Sequence, residues 1–244
     1  MSGDVPAKPS ADQAQRALWD HYEGQDPAVF AGSTYRLGWL ACQLAPGTAV
    51  LDIGIGDGTF ARLALARGLT PFGLDPSPAA VARMAALVPG GERAKVGSCA
   101  DIPWPAATFD AVVMSEVLEH LEPDTLAACL REVRRVLRPG GRFLGTVPAR
   151  EDLAASMVFC PHCRETFHRW GHHQSFDVVG LRARLAPEFP RGTVAERQFI
   201  VWNQLNWKGR ILACARLLLQ CVGSPGRTST IVFDMVASGR TADP

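Results

Sequence analysis

No long, unbroken apolar run is present in this sequence. The longest, 211–222, is broken by Arg216 and Gln220 and falls short of the roughly 20 residues a membrane span needs, so it is expected to form a buried or surface-lying helix. A hydrophobic leader is also missing, so no secretory signal is expected and a cytoplasmic setting is. Neither sign of charge is in excess: 25 basic against 24 acidic side chains leave a net charge of +1, with no overall pull toward nucleic acid or an anionic membrane. A disulfide framework is not expected either, because seven cysteines without a leader read as thiols in a reducing compartment. Cys42, Cys99, Cys129, Cys214 and Cys221 sit among small apolar residues and read as packing residues. There is no internal repeat and no low-complexity tract beyond residues 1–10, which are rich in Pro, Gly and Ser and expected to be a disordered lead. What remains is one globular domain over 11–244, 47% hydrophobic and able to bury one sizeable core.

The chain is organised around Val50-Leu51-Asp52-Ile53-Gly54-Ile55-Gly56-Asp57-Gly58, an apolar strand that ends in an acid and then in glycines at alternate positions. A side-chain-free turn of this kind allows positive φ and close approach of a ligand. Apolar residues at helical spacing follow over 59–67, so the turn opens a helix N-terminus whose free N–H groups suit an anionic group. The G-x-G-x-x-G spacing of nicotinamide enzymes is absent, as is a catalytic Tyr/Lys pair. Asp52 stands where it would repel a pyrophosphate and attract an α-amino group.

These residues resemble the D-x-G-x-G-x-G motif of the S-adenosylmethionine-dependent methyltransferases of the Rossmann-like class. The resemblance implies that Asp52, Gly54 and Gly56 hold the methionine end of the cofactor. A second strand, 70–75, ends in Asp75, 19 residues beyond Gly56 and placed to meet the ribose hydroxyls; Pro76 follows it, and Ser77 and Pro78 start the next helix. The segment 97–105 is similar to the family's G-D-A-x-x-L-P-F. It departs in having Ser98 where the acid stands, so Ser98, the backbone of Cys99 and Asp101 are the candidates for adenine. Ser115 and Glu116, at the end of a strand over 109–114, match the stretch beside the sulfonium, and V-L-R-P-G-G-R-F is a further match. N-terminal helices, expected over 11–23 and 34–44, would lie over the cofactor, with Tyr35 a candidate contact.

Helices over 123–137 and 176–185 and strands over 94–97, 142–147, 194–202 and 229–238 complete an alternating pattern. The expected fold is α/β: a seven-stranded, mostly parallel, doubly wound sheet, its last strand antiparallel as the resemblance implies. A small Cys/His insertion is expected over about 149–175, after the fifth strand.

In that insertion Cys160, Cys163, His168 and His172 have the spacing of a small zinc knuckle, two thiolates and two imidazoles being the ligands of a closed structural Zn2+ site. His162 and His173 leave ligand identity open, and His172 or His173 is alternatively a general base. Glu116-x-x-Glu119-His120 is similar to a segment that holds a divalent cation in small-RNA 2′-O-methyltransferases and some catechol-type O-methyltransferases, which makes His120 a third catalytic candidate. The resulting expectation is methyl transfer to oxygen, nitrogen or carbon of a small-molecule acceptor. The rivals are an RNA methyltransferase or binder using the Cys/His knuckle, which the net charge does not support, and a nicotinamide-dependent oxidoreductase.

Overall fold

A computed structural model describes residues 33–88, 92–161, 164–202, 205–221 and 230–238. The expected lead over 1–10 and helix over 11–23 lie outside the described residues. Helix α1 (Ser33–Cys42) is followed by β1 (Ala49–Ile53), α2 (Thr59–Ala66), β2 (Thr70–Asp75), α3 (Pro78–Leu87), β3 (Ala94–Val96), β4 (Phe109–Ser115), α4 (Pro123–Val136) and β5 (Leu137–Pro148). A short hairpin of β6 (Met157–Phe159) and β7 (Thr166–His168) is inserted before α5 (Val178–Leu185), β8 (Arg191–Arg197), α6 (Trp207–Cys221) and β9 (Thr230–Val236).

The main sheet has the order β3-β2-β1-β4-β5-β9-β8. Strands β1 to β5 are parallel, and β9 runs antiparallel to both β5 and β8. The near-continuous apolar runs of β1 and β4 follow from helices covering both faces. On one face Leu40 and Leu44 meet Phe60, Val113 and Leu144. On the other, Leu126, Leu130 and Val133 of α4 and Leu181 and Leu185 of α5 close over Phe109, Phe143 and Phe233.

Two strands differ from the pattern in the sequence. β5 begins at Leu137, not 142, because the Arg-Pro-Gly-Gly segment is absorbed as a bulge: Phe109 pairs with Leu137, and the register then resumes at Ala111 and Arg142. Gly140, at φ 77°, donates to the Ala237 carbonyl and holds the bulge in place. β8 covers Arg191–Arg197, not 194–202, because its ladder with β9 runs from Arg191↔Val236 to Arg197↔Thr230. Beyond it the chain turns, and Phe199 packs edge-on to Trp39 with ring centroids 6.0 Å apart.

At the sheet's centre a Cβ on Gly145 of β5 would lie 2.0 Å from the Met114 carbonyl oxygen and 2.3 Å from the Phe233 ring. Gly145→Ala must therefore push β4 and β9 away from β5. The expected loss is about 2–3 kcal/mol, a fall in Tm of roughly 5–10 °C by thermal denaturation; an unchanged Tm would contradict this packing.

Candidate active site

The carboxyl ends of β1, β2 and β4 open into a cavity of about 320 Å³, where the chain leaves each strand through a turn. Gly54, Gly56 and Gly58 have φ of 90°, 53° and 76°, as an alternating-glycine corner requires. A Cβ at Gly54 would sit 2.7 Å from Val117 Cγ2, so the corner must stay bare for β1 and the β4 loop to close on each other. Arg83 of α3 donates to the Gly56 carbonyl (3.0 Å) and ties the corner to the next helix.

Asp52 lines this cavity, 2% exposed, and its Oδ2 has no hydrogen-bond partner among the described residues. Burial, then the negative charges of Asp75 and Asp57, push its carboxyl well above the usual range. An anion sealed in this way calls for a cationic partner, which an α-ammonium supplies. Asp75 is also raised by burial but is anchored: Oδ2 accepts from the Ile55 N–H and Oδ1 from the Ser77 N–H, each at 2.8 Å. Its carboxylate is thus fixed at the end of β2, facing the space where a ribose diol would lie. Pro76, Ser98 and Cys99 line the same wall. Asp101 is exposed and is not among the lining residues, since its N–H turns back to the Ser98 carbonyl (3.1 Å).

Tyr35 is off the lining as well. On α1 the pocket-facing positions are Ser33, Arg36 and Leu37, one helical stripe, and Tyr35 falls beside it. Arg36 donates to Ser115 Oγ (3.1 Å) and lies 3.8 Å from Glu116 Oε1, which also accepts from Thr146 Oγ1 (3.0 Å). Glu116 has φ 58°, a left-handed conformation that aims its side chain across the pocket mouth. Arg36 and Thr146 had no signal in the motifs, because each works through another residue's side chain.

The Cys/His insertion does not assemble as its spacing suggests. The β6–β7 register pairs Met157 with His168 at the base, whereas Cys160 lies at the tip, its N–H donating to the Glu165 carbonyl (2.9 Å). Three residues of strand separate them by about 10 Å, too far for ligands of one tetrahedral ion. Cys163 and His162 lie outside the described residues. His168 is turned inward, and its Nδ1 accepts from the N–H groups of Trp170 (3.3 Å) and His172 (3.1 Å). A neutral ring that accepts at Nδ1 carries its proton on Nε2, which leaves no lone pair there for a metal.

Instead the insertion docks on the 3-10 turn Leu118–His120 that follows β4, through His173 and Gln174 N–H groups that both donate to the Glu119 carbonyl (2.8 and 3.1 Å). His173 Nδ1 pairs with Glu122 (2.9 Å) at the rim. His172 packs edge-on against His120, centroids 4.6 Å apart, and its Nδ1 bonds Glu151. His120 Nδ1 donates to the Gly171 carbonyl (3.2 Å). Burial, and next the neighbouring His172, push the His120 imidazole down to about 3, so it is neutral at pH 7. Glu119 is 1% exposed, its carboxylate oxygens bonded by no other described residue, and burial and then Glu116 raise it well above the ordinary range. Ligand atoms of Glu119, His120 and His172 lie within 4.8 Å of one another; those of Glu151, His168 and His172 do so too. Glu151 stands on the loop after β5, with no spacing signal to connect it to the histidines.

A bare glycine corner beside an uncompensated carboxylate, with a second carboxylate one strand away, fits an amino acid joined to a nucleoside and defines a Rossmann-like transferase site. A family model described as "Methyltransferase domain" matches residues 51–145. An uncharacterized methyltransferase of Mycobacterium tuberculosis is 30% identical over 195 residues, covering 79% of this chain and 74% of that protein. The 2-methyl-6-phytyl-1,4-hydroquinone methyltransferase of Synechocystis is 31% identical over 180 residues, covering 69% and 56%. In structure the chain is similar to a Burkholderia thailandensis 1,6-didemethyltoxoflavin-N1-methyltransferase with bound S-adenosylhomocysteine, at TM-score 0.61, 19% identity and coverage of 97% and 93%. The chain belongs to the S-adenosylmethionine-dependent methyltransferases. The nicotinamide-dependent reading is thereby set aside.

The charge state of Asp52 gives a test. A carboxyl whose pKa is higher folded than unfolded makes the fold progressively less stable as pH rises from the unfolded value of about 3.8 through the raised one. Asp52→Asn removes that cost, so the ligand-free variant should melt higher than the wild type at pH 7, with the gap shrinking toward pH 4. Its affinity for S-adenosylhomocysteine should fall by about 30-fold or more, one charge-assisted bond being lost. Differential scanning calorimetry across pH and titration calorimetry read both; a variant that binds normally would remove Asp52 from the site.

Proposed function

We propose that this enzyme transfers the methyl group of S-adenosylmethionine to a hydroxyl of a small-molecule acceptor, beside a divalent cation held by Glu119, His120 and His172. The observation that carries the reading is the buried Glu119 carboxylate, whose oxygens are bonded by no other described residue, within ligand distance of the two imidazoles. His120 and His172 each place a proton on Nδ1, toward the Gly171 carbonyl and Glu151 respectively, and therefore a lone pair on Nε2. Glu151 then orients His172 as an outer carboxylate does for a metal-bound histidine. Two imidazoles and one carboxylate suit zinc with a position left open, a ligand set different from the Cys/His quartet. When bound, such an ion lowers the pKa of a hydroxyl that it contacts.

The chain's own residues do the rest. Asp52 holds the ammonium and Asp75 the ribose of the cofactor; Ser98 and Cys99 flank its base. Arg36 and Thr146 fix Ser115 and Glu116 beside the sulfonium. The methyl is already activated, so the protein mainly aligns the two reactants and keeps water out. The hydroquinone named for the Synechocystis relative is a small molecule and supports an acceptor of that size class.

Methyl transfer to a hydroquinone or catechol acceptor should depend on added or retained divalent cation. Glu119→Gln and His120→Asn should lower kcat on the order of 100-fold or more, and Glu151→Gln roughly 10–100-fold. Affinity for S-adenosylhomocysteine should change little in all three. Full turnover by metal-stripped enzyme would make His120 and His172 proton acceptors instead, and cofactor binding without transfer to any hydroxyl would move the acceptor to nitrogen or carbon.

A further inference from the structure

Helix α6 is turned the wrong way round for a globular protein. Asn206 starts it, its Oδ1 accepting from the Gly209 N–H (2.9 Å) and its carbonyl from the Arg210 N–H (2.9 Å), and the helix runs 15 residues. Among its described side chains only Ala213 is buried. Trp207, Ile211 and Leu218 are 68%, 62% and 70% exposed, and Leu212 and Leu219 52% each. At about 100° per residue these five form one stripe, centred about half a turn from Ala213, so the apolar face points away from the body.

The charges are arranged around that stripe. Arg210 and Arg216 fall about 120° to either side of it, and Lys208 lies within it, its Nζ 5.5 Å from the Trp207 ring centroid. The helix contains no acidic residue, and none occurs between Glu196 and Asp234, although Arg197, Lys208, Arg210, Arg216 and Arg227 do. The near-zero charge of the whole chain conceals this basic segment. The complement of an apolar stripe bordered by cations is an apolar layer bordered by anions. A helix of this length spans about 22 Å, less than the roughly 30 Å of a bilayer's hydrocarbon, so it lies along such a layer and does not cross it.

We propose that α6 docks the enzyme on an anionic lipid surface, its apolar stripe entering the headgroup boundary while Arg210 and Arg216 meet lipid phosphates. This surface is separate from the cofactor pocket, and the inference does not depend on the acceptor. The full-length protein should cosediment with phosphatidylcholine vesicles containing about a third phosphatidylglycerol, about 10-fold or more in preference to pure phosphatidylcholine, and less so as salt is raised. Ile211→Asp with Leu218→Asp should weaken that association about 100-fold with unchanged affinity for S-adenosylhomocysteine, which also reports folding. Arg210→Glu with Arg216→Glu should abolish the preference for anionic lipid while leaving the helix's apolar face intact. Three results would overturn the proposal: no association with either vesicle, a dimer that the double Asp variant dissociates, or vesicle binding only after proteolytic removal of residues 1–32. The last two would make a second copy or the chain's own acidic N-terminal segment the occupant.

Discussion

An acid shut inside the end of a parallel sheet, with no cation beside it, sets the terms for the rest of this molecule. Asp52 can be held there only because β1 and β4 are locked in register and the turn after β1 has no side chains to fill the space above it. The cost of desolvating the carboxylate is borne by the sheet, and under the proposed cofactor role an arriving ammonium would recover it. Ligand recognition and stability are therefore opposed at this one residue.

The acidic character continues beyond Asp52. Asp57 and Asp75 line the pocket at the ends of β1 and β2 and Glu116 at the end of β4, and Arg36 lines it among them. Arg36 stands between the two groups, holding Ser115 and Glu116 while remaining part of α1. Helix α1 is thus tied electrostatically to the end of β4 across the pocket.

Legibility in the sequence followed the range of the interactions. The glycine corner, the position of Asp75, the Ser77 cap with Pro78, and the mostly parallel seven-stranded sheet were readable because each depends on neighbours a few residues away or on a repeated α/β pattern. The long β5 was not, since its bulge is fixed by β4 and β9; nor was the early end of β8, which is set by where β9 begins. Among the candidate site residues, Tyr35 and Asp101 lie off the pocket lining by one helical or turn position, a difference that local spacing does not resolve. The Cys/His segment has the spacing of a knuckle, yet a hairpin register places Cys160 and His168 at opposite ends. Glu151, 21 residues before His172, joins the histidines only through the fold.

The twin bonds from His173 and Gln174 to one carbonyl, that of Glu119, fix the root of the insertion to the turn after β4. Lengthening the connection between β6 and β7 would leave that root in place, since loop growth of that kind has only a logarithmic entropic cost. The architecture thus separates a fixed attachment from a connection whose length can change while the sheet and its glycine corner stay in place.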